Sequence, residues 1–232
     1  MLFPKATVHN IRELFVNLFR NNKLIEDRTG SQTVEIINAN FIADEESIFG
    51  QPNDAWHSRE LEWYLSQSLN VNDIPPPIPK IWQQIADEDG IINSNYGWCI
   101  FSSANGDQFI HALSALANNS FTRQAIMIYN RPSMQWEATA NGRQDYMCCQ
   151  NSQHFIRNNT LSSHFNYRSS DAVFGYKGDL FWANYVHNLL FDKLVVSYPD
   201  LEKGPIIWNA MSLHVYSRHF HLIEKYATEN GL

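Results

Sequence analysis

Three observations predict a single-domain α+β fold for this chain. Helical apolar stripes and short β-type runs are mixed along it, without the strict alternation that builds a doubly wound sheet. Its 232 residues are 44% hydrophobic and 18% charged, enough apolar sequence for one sizeable core. No internal repeat or low-complexity tract divides it, so residues 1–232 read as a single domain.

The elements follow in order. Ile11, Leu14, Phe15, Leu18 and Phe19 are spaced for one face of a first helix. Asp27 to Asp44 opens with a turn at Gly30 and continues as a strand through Val34, Ile36 and Ile37. Ser58 to Leu69 reads as a helix capped by Ser58, with Leu61, Tyr64, Leu65 and Leu69 as its buried stripe. Pro75 to Pro79 is a short rigid connector. Phe109, Ile110, Leu113 and Leu116 mark another helix, and Ala125 to Tyr129 a short apolar strand. Residues 152–168 form a hairpin that turns at Asn158-Asn159. A long helix spans Phe181 to Val196, a strand Ile206 to Tyr216, and a last helix His219 to Tyr226.

Composition excludes several classes of function. A net charge of −7 argues against direct nucleic-acid binding, which requires many Lys and Arg to neutralise phosphates. It is compatible with one small phosphate ligand held by a few local arginines. No apolar run approaches the roughly 20 residues that cross a bilayer, and the N-terminal residues lack a signal-peptide core, so no membrane association is expected. Cys99, Cys148 and Cys149 are odd in number and two are adjacent, which suits a reducing cytoplasm better than a disulfide framework. The nine His and three Cys show no metal-ligand spacing, so no metal is expected. His219 and His221 are read as surface residues at a strand–helix junction.

The chemistry concentrates between Tyr146 and Asp179, where a thiol precedes an Arg-Ser-Ser-Asp cluster by about twenty residues. A thiolate is a good nucleophile, and a nearby guanidinium favours the charged form. Taken singly, each residue has a plainer reading. A cysteine in a strand is commonly a small core residue, Glu60 a solvated helix boundary, and Asp171 a turn former. Trp82 reads as core, and His214 and Tyr216 as a packed pair on one strand face.

Order and spacing outweigh those readings. Cys148 lies five residues before Gln153, and Arg168, Ser169 and Asp171 form an Arg-Ser-x-Asp run followed by Gly175. Asp27-Arg28-Thr29-Gly30, Glu60-Leu-Glu-Trp-Tyr-Leu, Ile81-Trp82, Tyr96-Gly97 and Leu213-His-Val-Tyr216 complete the set, from Arg28 to Tyr216. In this order the motifs closely resemble the thymidylate synthase family. The resemblance implies that family's fold, a mixed β-sheet packed with helices whose sheet face forms a dimer interface. It aligns Cys148, not Cys149, with the nucleophile and Glu60 with the general acid/base. It implies that Arg28, Arg168, Ser169, Gln153 and an Arg123 crossing the interface of a homodimer bind the nucleotide, and that His214 and Tyr216 bind its sugar. Trp82, Asp171 and Tyr96 would face the co-substrate, 5,10-methylenetetrahydrofolate.

Departures from the family pattern are equally informative. His154 replaces a Phe, Thr122 replaces one of two interface arginines, and Asp179 stands where family members acting on uridylate have Asn. An amide suits uracil, donating to a carbonyl and accepting from the ring N–H. Cytosine presents an exocyclic amine and an unprotonated ring nitrogen instead, and a carboxylate accepts from that amine. Asp179 therefore indicates deoxycytidylate (dCMP), and within the family this Asp resembles phage members that hydroxymethylate dCMP. The family's long C-terminal tail, which excludes water, has no counterpart after Leu232, and its absence suits a step that consumes water. Hydroxymethylation of dCMP is the reading these residues favour. Methylation of dCMP at the same site, and a non-catalytic nucleotide-binding protein on this fold, remain the alternatives.

Overall fold

The computed structural model of the protein describes residues 5–232. In chain order its elements are α1 (Val8–Arg20), β1 (Leu24–Glu26), β2 (Gln32–Ile42), α2 (Asp54–Ser66), α3 (Lys80–Ile85), α4 (Tyr96–Phe101), α5 (Gln108–Asn118), β3 (Ile126–Ile128), α6 (Met134–Asn141), β4 (Cys149–Arg157), β5 (Thr160–Tyr167), β6 (Ser170–Asp171), α7 (Gly175–Leu194), β7 (Glu202–Tyr216) and α8 (Phe220–Glu229). They fall into two compact units, one ending at Pro52 and resuming at Ile156–Leu232, the other Asn53–Phe155. Helices and strands are mixed, as an α+β fold requires.

In the first unit β7 is the organising strand. β2 lies antiparallel beside it, with Thr33 opposite Tyr216 and Ile42 opposite Ile207. β5 and then β6 lie parallel to β7. The strand starts at Glu202, four residues before Ile206, because backbone pairing with Thr160 and Leu161 extends the ladder through polar and small residues that carry no apolar signal. Gly204 is required there, since a Cβ would lie 2.4 Å from the Leu161 carbonyl oxygen. Asn158 and Asn159 both adopt positive φ, as the predicted turn demands. The core is aromatic. Trp208 stacks on Tyr167 with centroids 4.2 Å apart and meets the edge of Tyr176 at 4.9 Å. α1 buries Val8, Ile11, Phe15 and Val16, and Leu14 of the predicted face is exposed because the contact with Phe49 rotates the helix toward Phe15.

In the second unit α2 begins at Asp54, capped by Asn53, whose side chain accepts from the Trp56 N–H. Ser58 is therefore inside the helix and exposed, not its cap. Its buried face is His57, Glu60, Trp63 and Tyr64, with Leu65 exposed and Leu69 beyond the helix end. Aromatic packing outweighs the leucine periodicity: Trp63 meets Trp82 and Tyr64 stacks on Tyr96. α4 approaches so closely that a Cβ on Gly97 would sit 1.8 Å from the Tyr64 carbonyl oxygen. α5 buries Phe109, Ala112 and Leu116, leaving Ile110 exposed. β3 pairs antiparallel with β4, Ile126 opposite Gln153, so Met127 points inward between two exposed isoleucines.

His187 of α7 is buried and its Nδ1 lies 2.7 Å from the Ser163 hydroxyl. Burial, aided by Lys203, pushes the imidazole down from 6.5 to about 4. The unfolded chain therefore binds this proton more readily than the folded one. The stability associated with the neutral ring is full above pH 6.5 and is lost as pH falls toward about 4. The loss amounts to about 3 kcal/mol at most. Denaturant titrations of wild type and His187→Gln across that window test this, and the stability gap between them should shrink on acidification. A gap independent of pH would refute the assignment.

Candidate active site

The three thiols differ sharply in access. Cys99 and Cys149 are fully buried, whereas Cys148 is partly exposed immediately before β4. Burial pushes the Cys99 thiol up to about 12, so it does not ionise at neutral pH. Cys148 is thus the one thiol of the three with access to solvent. Its segment is anchored by Gln150, whose amide donates to the Met147 and Cys148 carbonyls and whose own carbonyl accepts from the Tyr129 N–H at 3.0 Å.

Upstream, the same segment is fastened by a buried carboxylate. Asp145 accepts from the Asn93 N–H at 2.7 Å, the Ser94 N–H at 2.6 Å and the Ser94 hydroxyl at 2.6 Å. Burial raises its pKa, and these hydrogen bonds together with nearby Arg143 oppose that rise. The Asn93 side chain is completely buried. Its amide donates to Glu137 and to the Asp145 carbonyl, and its oxygen accepts from Arg131 and Arg143. Arg143 in turn pairs with Asp87 at 2.7 Å. Asn95 then caps α4 and donates to the Trp63 and Ser68 carbonyls. One polar knot thereby ties the approach to Cys148 to the start of the helix that carries Tyr96.

The other predicted residues of this unit lie around α2 and β4. Glu60 is buried on the face that carries Trp63 and Tyr64. Trp82, on α3, packs on Trp63 with centroids 5.5 Å apart and remains partly exposed. Tyr96 is buried between Tyr64 and Tyr129. Gln153 donates to the Arg123 carbonyl at 2.8 Å, joining these two residues through the backbone and leaving the Arg123 side chain exposed.

In the first unit the β7 register gathers the remainder at the C-terminal end of that strand. Asp171 pairs with His214, Thr33 with Tyr216, and Ser170 with Leu213. His214 is buried and meets Tyr216 edge-on at 5.0 Å. Burial lowers the His214 pKa, against the pull of Asp171 and Glu35. Arg28 is exposed on a tight turn built by Asp27, whose carboxylate accepts from the Thr29 N–H and hydroxyl and from the Ser31 N–H. The Thr29 hydroxyl leads in holding that carboxyl low. Arg168 is exposed and Ser169 half-buried, directly before β6. Gly175 has Asp171 and Asp179 as neighbours, placing both carboxylates at the first turns of α7. Lys177, two residues before Asp179, is buried and donates to the Gln51 carbonyl at 2.8 Å. Burial lowers its pKa, and Asp171 opposes the shift.

Sequence reading missed the Asn93, Asp145 and Arg143 knot. Its partners are some fifty residues apart, and Asn or Asp in a polar segment reads as a turn former. Asp145 at three residues before Cys148 is the one available signal. Among the described residues no group of three or more His, Cys, Asp and Glu is placed to hold a metal ion, and no helix is long and apolar enough to cross a membrane.

Comparison with known proteins assigns relatives to this arrangement. The thymidylate synthase family matches residues 9–230. Deoxycytidylate 5-hydroxymethyltransferase of Enterobacteria phage T6 is 46% identical over 226 residues, covering 97% of this chain and 92% of that protein, and the phage T4 enzyme of the same name matches equally in identity and coverage. Thymidylate synthase 1 of Bacillus subtilis (strain 168) is 28% identical over 205 residues, 83% of this chain and 70% of that protein. Among solved structures, thermostable thymidylate synthase A from Bacillus subtilis shares the fold with a TM-score of 0.66 at 24% identity, covering 92% of this chain and 82% of that one.

Removing the Asp145 carboxylate should strand two backbone donors and one hydroxyl in the interior. Asp145→Ala should lower stability by about 3 kcal/mol, and Asp145→Asn by less, because its amide oxygen still accepts. Urea titration of the three proteins checks this order. Equal midpoints would show that the knot contributes nothing.

Proposed function

The chain belongs to the thymidylate synthase family, and from that membership we propose that it is a deoxycytidylate 5-hydroxymethyltransferase. The observation that carries the reading is Asp179 in the first turns of α7, together with a single accessible thiol at Cys148. The relatives bearing that activity in their names match nearly the full chain, which supports the same assignment.

In this reading residues 1–232 act as one catalytic domain. Cys148 Sγ, as thiolate, adds to carbon 6 of dCMP and makes carbon 5 nucleophilic. 5,10-Methylenetetrahydrofolate, when bound, supplies a one-carbon unit at the formaldehyde level. Its fit rests on Trp82, a flat indole braced by Trp63 and still partly open, and on Asp171 and Tyr96. Glu60 moves protons as general acid/base. Carbon 5 gains the one-carbon unit and loses its proton, and tetrahydrofolate departs from the transferred carbon. Water adds to the exocyclic methylene left behind, and the carbon 6–sulfur bond breaks to return Cys148 as thiolate with 5-hydroxymethyl-dCMP.

Asp179 selects the base by accepting from the exocyclic amine of cytosine, an interaction uracil cannot return. Arg28, Arg168 and Ser169 hold the phosphate, joined by Arg123 of the partner subunit in a homodimer. Guanidinium forks suit phosphate geometry, so a few arginines serve despite the acidic total. Gln153 contributes to the nucleotide site, and His214 and Tyr216 take the sugar hydroxyl. Three free thiols suit the reducing cytoplasm of a phage-infected bacterium.

Mass spectrometry of dCMP incubated with the protein and methylenetetrahydrofolate tests this. The expected product carries a hydroxymethyl group, with tetrahydrofolate released. Cys148→Ala should fall below about a thousandth of wild-type turnover. Asp179→Asn should shift preference from dCMP toward deoxyuridylate by about 100-fold or more. A methyl product with dihydrofolate, or modification of deoxyuridylate by the wild type, would overturn the reading.

A further inference from the structure

Side chains alternate along β7, so Ser212, His214 and Tyr216 share one face. On β2, Glu35 stands directly opposite His214, and Ile37 opposite Ser212. On β6, Asp171 stands opposite His214 from the other side. The buried imidazole thus has a carboxylate on each flanking strand. Ser212 Oγ hydrogen-bonds to Glu35 Oε1, and the same oxygen lies 3.3 Å from His214 Nδ1.

A carboxylate accepts only, so the Ser212 hydroxyl proton is directed at Glu35. The lone pairs of that hydroxyl then face Nδ1, which must supply a proton to complete the contact. We infer that Glu35, acting through Ser212, holds His214 in the Nδ1–H tautomer, so that Nε2 keeps its lone pair to accept from a sugar hydroxyl. Burial keeps the ring neutral against the pull of Asp171 and Glu35, a hydrogen bond to the Ser212 backbone carbonyl and, from the β1–β2 turn, Asp27, so the choice of tautomer is the open variable. Free histidine in water favours the Nε2–H form, which would present a donor to the sugar and leave the imidazole unable to accept the sugar hydroxyl's own proton. Glu35 and Ser212 are positioning residues here. The identity of the sugar ligand rests on the proposed function, whereas the tautomer does not.

Nitrogen-resolved NMR of the imidazole rings tests the tautomer in the unliganded protein, with His214 assigned by its loss in His214→Gln. Wild type should show a protonated Nδ1 and an unprotonated Nε2 at His214. Ser212→Ala should move the ring toward Nε2–H, and Ser212→Thr, which keeps a hydroxyl, should restore the wild-type pattern. An Nε2–H ring in wild type, or no change in Ser212→Ala, would overturn the relay. Binding of dCMP and of 2′,3′-dideoxycytidylate then reads its consequence. Loss of the 3′-hydroxyl should weaken binding to wild type roughly 5-fold and to Ser212→Ala by less, because Nε2–H can donate to the sugar oxygen but no longer accepts its proton. An equal penalty in both proteins would also refute the relay. If wild type binds neither nucleotide, the functional reading fails while the NMR result on the tautomer stands.

Discussion

The register of β7 against its neighbours is the constraint on which the first unit depends. The strand alternates Leu213 and Val215, wholly buried, with His214 and Tyr216. A slip of one residue against β2 would exchange these two sets, putting a leucine where the imidazole belongs. Several contacts hold the register: the ladder from Thr33 to Ile42, the parallel pairing of β5, and the stack of Trp208 on Tyr167. Gly204 permits the close approach of Leu161 that admits the irregularity in β5. Precise placement of two polar side chains thus comes from apolar packing spread over fifteen residues.

The second unit meets the same demand differently. Cys148 sits at the start of a strand where main-chain pairing alone leaves the preceding residues undirected. A carboxylate with three short hydrogen bonds directs them, and it can do so only because it is buried. Burial costs the charge its hydration, a cost offset by Ser94, Asn93 and the field of Arg143. Such a knot adds little stability relative to an apolar replacement, although breaking it is costly, and its intolerance of other geometries is the useful property beside the proposed nucleophile.

What the sequence disclosed divides along a physical line. The α+β class, the hairpin turn at Asn158-Asn159 and most of the long helix α7 are legible, because each depends on local pattern or local backbone preference; α7 starts at Gly175, six residues before the expected Phe181, so Asp179 lies within it. Helix faces were less so. The leucine stripe of α2 was misread because Trp63 and Tyr64 dominate its packing, and no periodicity count weights side chains by the partners they will meet. The same error made Glu60 look like a solvated boundary, although the aromatic face carries it into the interior. The residues proposed for the site stand out by order and spacing against a family pattern. The residues proposed to orient them, Asp145, Asn93, Glu35 and Ser212, do not, because their meaning arises only from contacts between distant segments.

That difference bears on how one fold accommodates different bases. Addition of a thiolate to carbon 6 requires the same nucleophile whatever the pyrimidine carries at carbon 4. The discriminating group must meet the edge of the base, where cytosine and uracil exchange donor for acceptor. An Asp for Asn replacement alters that edge by one atom, with negligible change in volume and no backbone adjustment. Placed near the start of a twenty-residue helix whose inner face buries Leu180, Trp182, Ala183 and Val186, Asp179 sits on a rigid element. A rigid backbone narrows the positions the carboxylate can take, which suits the selection proposed for it.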